Sequence, residues 1–238
     1  MRYVIASLSV LLAGLTIATV WADDAVSVKS HPDSTNWQNL FNPDLSNAIY
    51  PKGIWRYENG ELIATEDQFI WTKKEYENFA VDLEFKNVEG SNSGVMVYCT
   101  DLNNPYSHVV EIQLLDDYAK QWASIAKNWQ CAAIFGHQAP TKQTVKEPGQ
   151  WNRMTVTCRG PRISVVLNGE LVTELDMRKC TSAKTNPDGS EIPPFLGQPP
   201  LAQMPTKGHI GLQGSHHGVP TDFRNVKFKP LTAEEKQK

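Results

Sequence analysis

The chain has 238 residues, with 23 Lys and Arg against 26 Asp and Glu and a formal net charge of −3 at pH 7. That length suits one β-sandwich domain together with an export segment. The near-balanced charge, without a long basic run, argues against a nucleic-acid partner, because phosphate binding needs clustered Lys and Arg.

The first residues, 1–22, read as a signal peptide. Arg2 gives a positive start, Val4 to Val20 are apolar or small, and Val20-Trp21-Ala22 supplies a cleavage site. The apolar run is slightly short for a membrane span and is followed at once by Asp23-Asp24. An uncleaved N-terminal anchor is the alternative. The expected location is secreted or periplasmic, with no stable membrane span after processing. Residues 23–36 are polar, include Pro32 and read as a flexible lead-in to a domain over residues 37–231; residues 232–238 read as a polar tail.

From Trp37 onward short strands alternate with turn residues. Trp55-Arg56-Tyr57 and Glu61 to Thr65 flank Asn59-Gly60, a strong hairpin signal. Phe79, Val81, Leu83 and Phe85 alternate with polar neighbours, as expected of a half-buried strand. Val95 to Cys99 and His108 to Leu115 continue the series. The stretch Tyr118 to Trp129 lacks alternation and reads as a surface loop with a short helix. Met154 to Cys158 alternates again, and Ile163 to Leu167 with Leu171 to Leu175 frames a second hairpin around Asn168-Gly169. Six prolines between residues 181 and 206 argue for a long irregular connection, functional or decorative. Gly208 to Gln213 and Phe223 to Phe228 close the chain as strands. Such spacing, nearly free of helical periodicity, predicts an all-β sandwich or jelly roll.

Val109 to Asp117, Val-Val-Glu-Ile-Gln-Leu-Leu-Asp-Asp, carries the most chemistry. In a strand Val110, Ile112 and Leu114 share one face while Glu111 and Gln113 share the other. A carboxylate beside an amide can act as a base, bind sugar hydroxyls or hold a metal. His209 and Gln213 lie on the face opposite Ile210 and Leu212, so they meet Glu111 and Gln113 if the two strands share a sheet. Asp116 follows the strand, placed to orient a histidine or bind a cation. Trp55, Trp71, Trp122, Trp129 and Trp151 are candidates for stacking on sugar rings, although most tryptophans of a sandwich belong to its core. A second carboxylate in register with Glu111 is missing, since Gln113 and Leu115 occupy those positions, which argues against a conventional two-carboxylate glycosidase.

Cys99, Cys131, Cys158 and Cys180 form an even set that allows two disulfides in three pairings, and their spacing is not that of a zinc site. Cys99 and Cys158 fall inside expected strands and are equally suited to be buried thiols.

Several short segments recur in a fixed order: Asn92-Ser93-Gly94-Val95, Gly136, Pro140-Thr141-Lys142, Pro148-Gly149-Gln150-Trp151-Asn152, Leu167-Asn168-Gly169, Gly208-His209-Ile210-Gly211-Leu212-Gln213, His217-Gly218 and Phe223-Arg224-Asn225-Val226. Over roughly Trp37 to Leu231 this order resembles the 3-keto-disaccharide hydrolase family of secreted bacterial proteins. The resemblance implies a concanavalin A-like jelly roll of two antiparallel sheets. It also implies action on 3-keto-disaccharides or 3-keto-glycosides by C2 proton abstraction, elimination at C1 and hydration. Glu111 or His217 would be the base, and Lys142, Gln113 or a divalent cation would stabilise the enolate. Gln113, Asp116, Gln213, His209 and Trp122 would bind substrate. The loop around His217 is slightly longer than the family pattern, so His216 competes for the same place. A metal would draw on Glu111, Asp116 and a histidine. A separate sugar 3-oxidoreductase would make the substrate, because this chain has no dinucleotide-binding pattern. The alternative to an enzyme is a lectin-like binding module on the same fold.

Overall fold

The structure, a computed structural model, describes residues 29–232; the expected signal peptide and all but the first residue of the tail lie outside them. Among the described residues no helix is long and apolar enough to cross a membrane.

The strands are β1 (Gln38–Asn39), β2 (Ala48–Ile49), β3 (Trp55–Glu58), β4 (Glu61–Ala64), β5 (Ile70–Thr72), β6 (Asn78–Asn87), β7 (Asn92–Cys99), β8 (Val110–Leu115), β9 (Trp151–Arg159), β10 (Arg162–Leu167), β11 (Glu170–Asp176), β12 (His209–Leu212) and β13 (Thr221–Pro230). Eight form one sheet, in the order β11-β10-β9-β6-β13-β4-β3 with β1 also on β13, and five form the other, β2-β5-β12-β7-β8. Every pairing is antiparallel. The β3–β4 hairpin turns at Asn59-Gly60 and the β10–β11 hairpin at Asn168-Gly169, each with positive φ at both residues, which is the twist a two-residue hairpin requires.

Alternation decides which side chains enter the core. Phe79, Val81, Leu83 and Phe85 of β6 face Val110, Ile112 and Leu114 of β8, all sealed from solvent in one apolar cluster. Burial of whole apolar side chains of this size contributes about 1.5–3 kcal/mol each, which makes this layer the main stabilising element. The fold is the expected concanavalin A-like jelly roll. All four cysteines are buried and free.

The lead-in is docked at its end, where its composition suggested a flexible segment. Ser34 Oγ donates to Asp82 at 2.5 Å, Arg153 donates to the Pro32 carbonyl at 2.8 Å, and His31 Nδ1 lies 2.8 Å from Thr155 Oγ1. Asp82 is buried on the outer side of β6 and binds Arg153 at 2.8 Å, so the polar lead-in satisfies an ion pair that would otherwise be open to water.

Candidate functional site

The small sheet turns one face to the core and the other to a cavity. Cross-strand register puts Trp71, Gly211, Met96 and Glu111 in one row on the outer face. The next row pairs Gly94 with Gln113, and the Gln213 amide N–H donates to the Gly94 carbonyl at 3.0 Å. The free edge of β8 is closed by residues 132–135: Ala132 N donates to Gln113 O at 2.8 Å and Phe135 N to Glu111 O at 2.9 Å.

The cavity above these rows has a volume of about 390 Å³. Its floor is polar, with Glu111, Gln113, Asn92 and Gln213. Its walls are apolar and come from loops. Trp122, Ile125, Trp129, Phe135, Phe195 and Leu196 supply them, and Tyr106, His216 and His217 also line the cavity. Trp129, Phe135 and Phe195 pack together with ring centroids 5.0 to 6.3 Å apart. A second hollow, of about 450 Å³, adjoins across Trp129 and Phe195.

The proline-rich connection thus borders the cavity. Its Leu196 is buried and its short turn Pro194–Leu196 presents Phe195 to the cavity. Gln198 ties the same segment down by donating to the carbonyls of Tyr106 and Val109 at 2.8 and 2.9 Å. His137 lies beneath, buried between Gln198 Oε1 at 3.0 Å and Asn186 Oδ1 at 3.2 Å, outside the cavity; burial holds its pKa below the usual histidine value.

Two floor and wall groups are buried without a partner: Gln113 Oε1, an acceptor, and Trp122 Nε1, a donor. The other end of the Gln113 amide donates to Asn92 Oδ1 at 3.2 Å. An orphaned buried polar atom costs about 1–3 kcal/mol, so each keeps one unused hydrogen-bonding capacity on a residue that borders the cavity. Glu111 keeps part of its surface open to the cavity, yet burial, with the nearby Asp67 charge second, pushes its pKa up to about 8. Asp67 in turn accepts from Gln213 Nε2 at 3.2 Å and lies 2.6 Å from His216 Nδ1.

Of the residues expected from sequence, the structure gathers Glu111, Gln113, Gln213, Trp122 and His217 in one cavity. It leaves out three. Lys142 pairs with Glu170 at 2.5 Å on the exposed surface, on the turn side of the other sheet, so it is not a catalytic group of this cavity. Asp116 is buried and spends its carboxylate on the backbone N–H groups of Gly90 and Tyr118, at 2.8 and 3.1 Å. His209 lies on the expected face, but its Nδ1 is bound to the Thr72 carbonyl at 2.8 Å, and the Trp71 ring covers Gly211 between it and Gln213. The expected trio of Glu111, Asp116 and a histidine is not assembled, and among the described residues no cluster of three His, Cys, Asp or Glu is arranged to hold a metal ion. Periodicity gives no sign of Tyr106, Phe135 and Phe195, which reach the cavity from loops, or of Asp67, which stands behind it on His216 and Gln213.

A family model of the 3-keto-alpha-glucoside-1,2-lyase-like domain matches residues 35–229. The chain belongs to this family. Among solved structures the chain is similar to a Parabacteroides distasonis protein named as a candidate glycosyl hydrolase, 48% identical, with a TM-score of 0.79 over 82% of this chain and 99% of that one. A second protein from the same organism, under the same kind of name, is 23% identical, with a TM-score of 0.64 over 79% of this chain and 90% of that one, and shares the fold. No curated protein matches the chain. Family and relative together assign the chain to carbohydrate-acting proteins.

Proposed function

We propose that this chain is an exported enzyme that cleaves 3-keto-glycosides, 3-keto-disaccharides among them, by elimination across C1–C2 followed by hydration. What carries the reading is the place of Glu111, on the cavity floor with Gln113 and below Trp122, where burial pushes its pKa up to about 8. A carbonyl at C3 acidifies the C2 proton. A base removes it, the enediolate expels the C1 substituent, and water adds to the enone at C1. A carboxyl protonated at neutral pH suits the acid role, delivering its proton to the departing glycosidic oxygen. The Trp122 N–H is the kind of donor that stabilises the developing oxyanion in a site walled from water, and the Gln113 oxygen can accept a sugar hydroxyl.

Aromatic walls above a polar floor fit a pyranose, with its apolar faces and hydroxyl rim. A lectin-like module needs no carboxyl of raised pKa at the centre of its site, which favours the enzyme. The substrate must come from a reaction that oxidises a glycoside at C3. Cleavage in D2O tests the mechanism: the released 3-keto sugar should carry deuterium at C2 beyond the enzyme-free control, and protium retained there would rule out elimination.

A further inference from the structure

We infer that Asp67 and His216 form the base of this site, with the His216 imidazole taking the C2 proton and Asp67 positioning it. The inference rests on the elimination reading above.

Geometry selects the tautomer of the neutral ring. Asp67 Oδ2 lies 2.6 Å from His216 Nδ1, and Asp67 Oδ1 accepts from Gln213 Nε2 at 3.2 Å. Gln213 Nε2 also lies 3.4 Å from Nδ1, but the 2.6 Å contact with Asp67 dominates; a carboxylate only accepts, so its proton belongs to Nδ1 and the lone pair of the neutral ring to Nε2. His216 borders the cavity, and its backbone is held on both sides: its N–H donates to Gly214 O at 2.9 Å, and its carbonyl accepts from Val219 N at 3.1 Å. His217 borders the same cavity, but its ring is tilted 49° against that of His216 at 3.9 Å between centroids, and among the described residues no hydrogen bond selects its tautomer.

The chemistry also needs a second group. A carboxyl that enters the reaction protonated cannot receive the C2 proton, so Glu111 as acid requires a base elsewhere in the cavity. In the step, the C2–H bond breaks and an N–H bond forms at Nε2, with the electron pair delocalised onto the C3 oxygen. The C3 carbonyl then reforms, C1=C2 forms, and the C1–O bond breaks as Glu111 protonates the leaving oxygen. The imidazolium proton exchanges with solvent, so that when water adds to C1 His216 delivers a solvent proton to C2 and one water proton goes to Glu111, which restores both groups.

Exchange of the C2 proton of methyl 3-keto-glucoside in D2O, followed by NMR, reads the base directly. The wild-type protein should accelerate exchange over the enzyme-free control. H216A should slow it by ~10²–10⁴-fold, and added imidazole should restore part of the loss. D67N should lower kcat for exchange while KM stays within about twofold, because the amide can turn its oxygen or its N–H toward Nδ1 and no longer enforces one tautomer. Wild-type exchange rates in H216A, or, if H216A does not fold, in D67N, would overturn the base assignment alone. A wild-type protein that leaves C2 untouched would overturn the elimination reading itself.

Discussion

The Glu111 side chain rests on Gly94, one strand away, in the space that any larger residue would fill. A Cβ at position 94 would collide with Glu111 Oε1, stand 2.9 Å from its Cγ and 2.8 Å from Met96 Cε. A bare backbone on β7 is therefore what lets the carboxyl lie flat on the cavity floor. Gly94→Ala should displace it, lowering turnover of a 3-keto-glycoside by about 10²-fold or more while the small sheet still forms. Kinetics with circular dichroism on the same preparation check both halves. Unchanged turnover would mean that the placement of Glu111 is immaterial.

Glu111 should also mark the pH dependence of stability. Its folded pKa, about 8, is raised above the ordinary carboxylate value, so the folded protein holds a proton that the unfolded chain releases. Between the unfolded value and pH 8 the folded state binds more protons, and stability falls as pH rises through that window. Glu111→Gln removes the penalty. Its melting temperature should match the wild type near pH 4.5 and exceed it at pH 8.5, by a gap worth a few kcal/mol in order of magnitude. A constant gap across pH would contradict the burial of this group. For activity the sign is the same: an acid must be protonated, so turnover should decline as pH rises through 8.

The orphaned donor of Trp122 separates binding from stability. Trp122→Phe removes a buried N–H without a partner, so the free protein should lose little or no stability. Affinity for the 3-keto substrate should fall by about 5- to 30-fold, the loss of one hydrogen bond inside the cavity. Calorimetric binding and thermal melts on the same variant decide it; equal affinity would mean that the indole faces no ligand group.

Lys142 should be dispensable. Its partner Glu170 is exposed, as it is, and such pairs contribute about 0–1 kcal/mol. Lys142→Ala should keep wild-type turnover and melt within a degree or two of it. A strong loss of turnover would bring that surface into the site.

Periodicity carried the sequence reading where strands carry the site. Glu111 and Gln113 lie on the outer face because Ile112 and Leu114 belong to the core, and Gln213 joins them because β12 and β8 flank β7 in one sheet. His209 obeys the same alternation and still misses the cavity, since the ring of Trp71, a neighbour through β5, fills the space over Gly211. That contact links strands distant in the chain and has no local signature. Asp116 illustrates the opposite case: its place after the strand suggests a carboxylate that orients a histidine or binds a cation, whereas the tight turn after β8 leaves the N–H groups of Gly90 and Tyr118 in need of an acceptor. Asp67, which orients His216, lies 149 residues before it in a turn with no pattern to announce it.

The most direct measurement mixes the mature protein with a 3-keto-disaccharide and, in parallel, with its unoxidised parent, and follows sugar release by mass spectrometry. Release from the keto sugar alone is the predicted result. Equal release from both would contradict the elimination chemistry, and binding without release from either would contradict an enzyme and leave a carbohydrate-binding module.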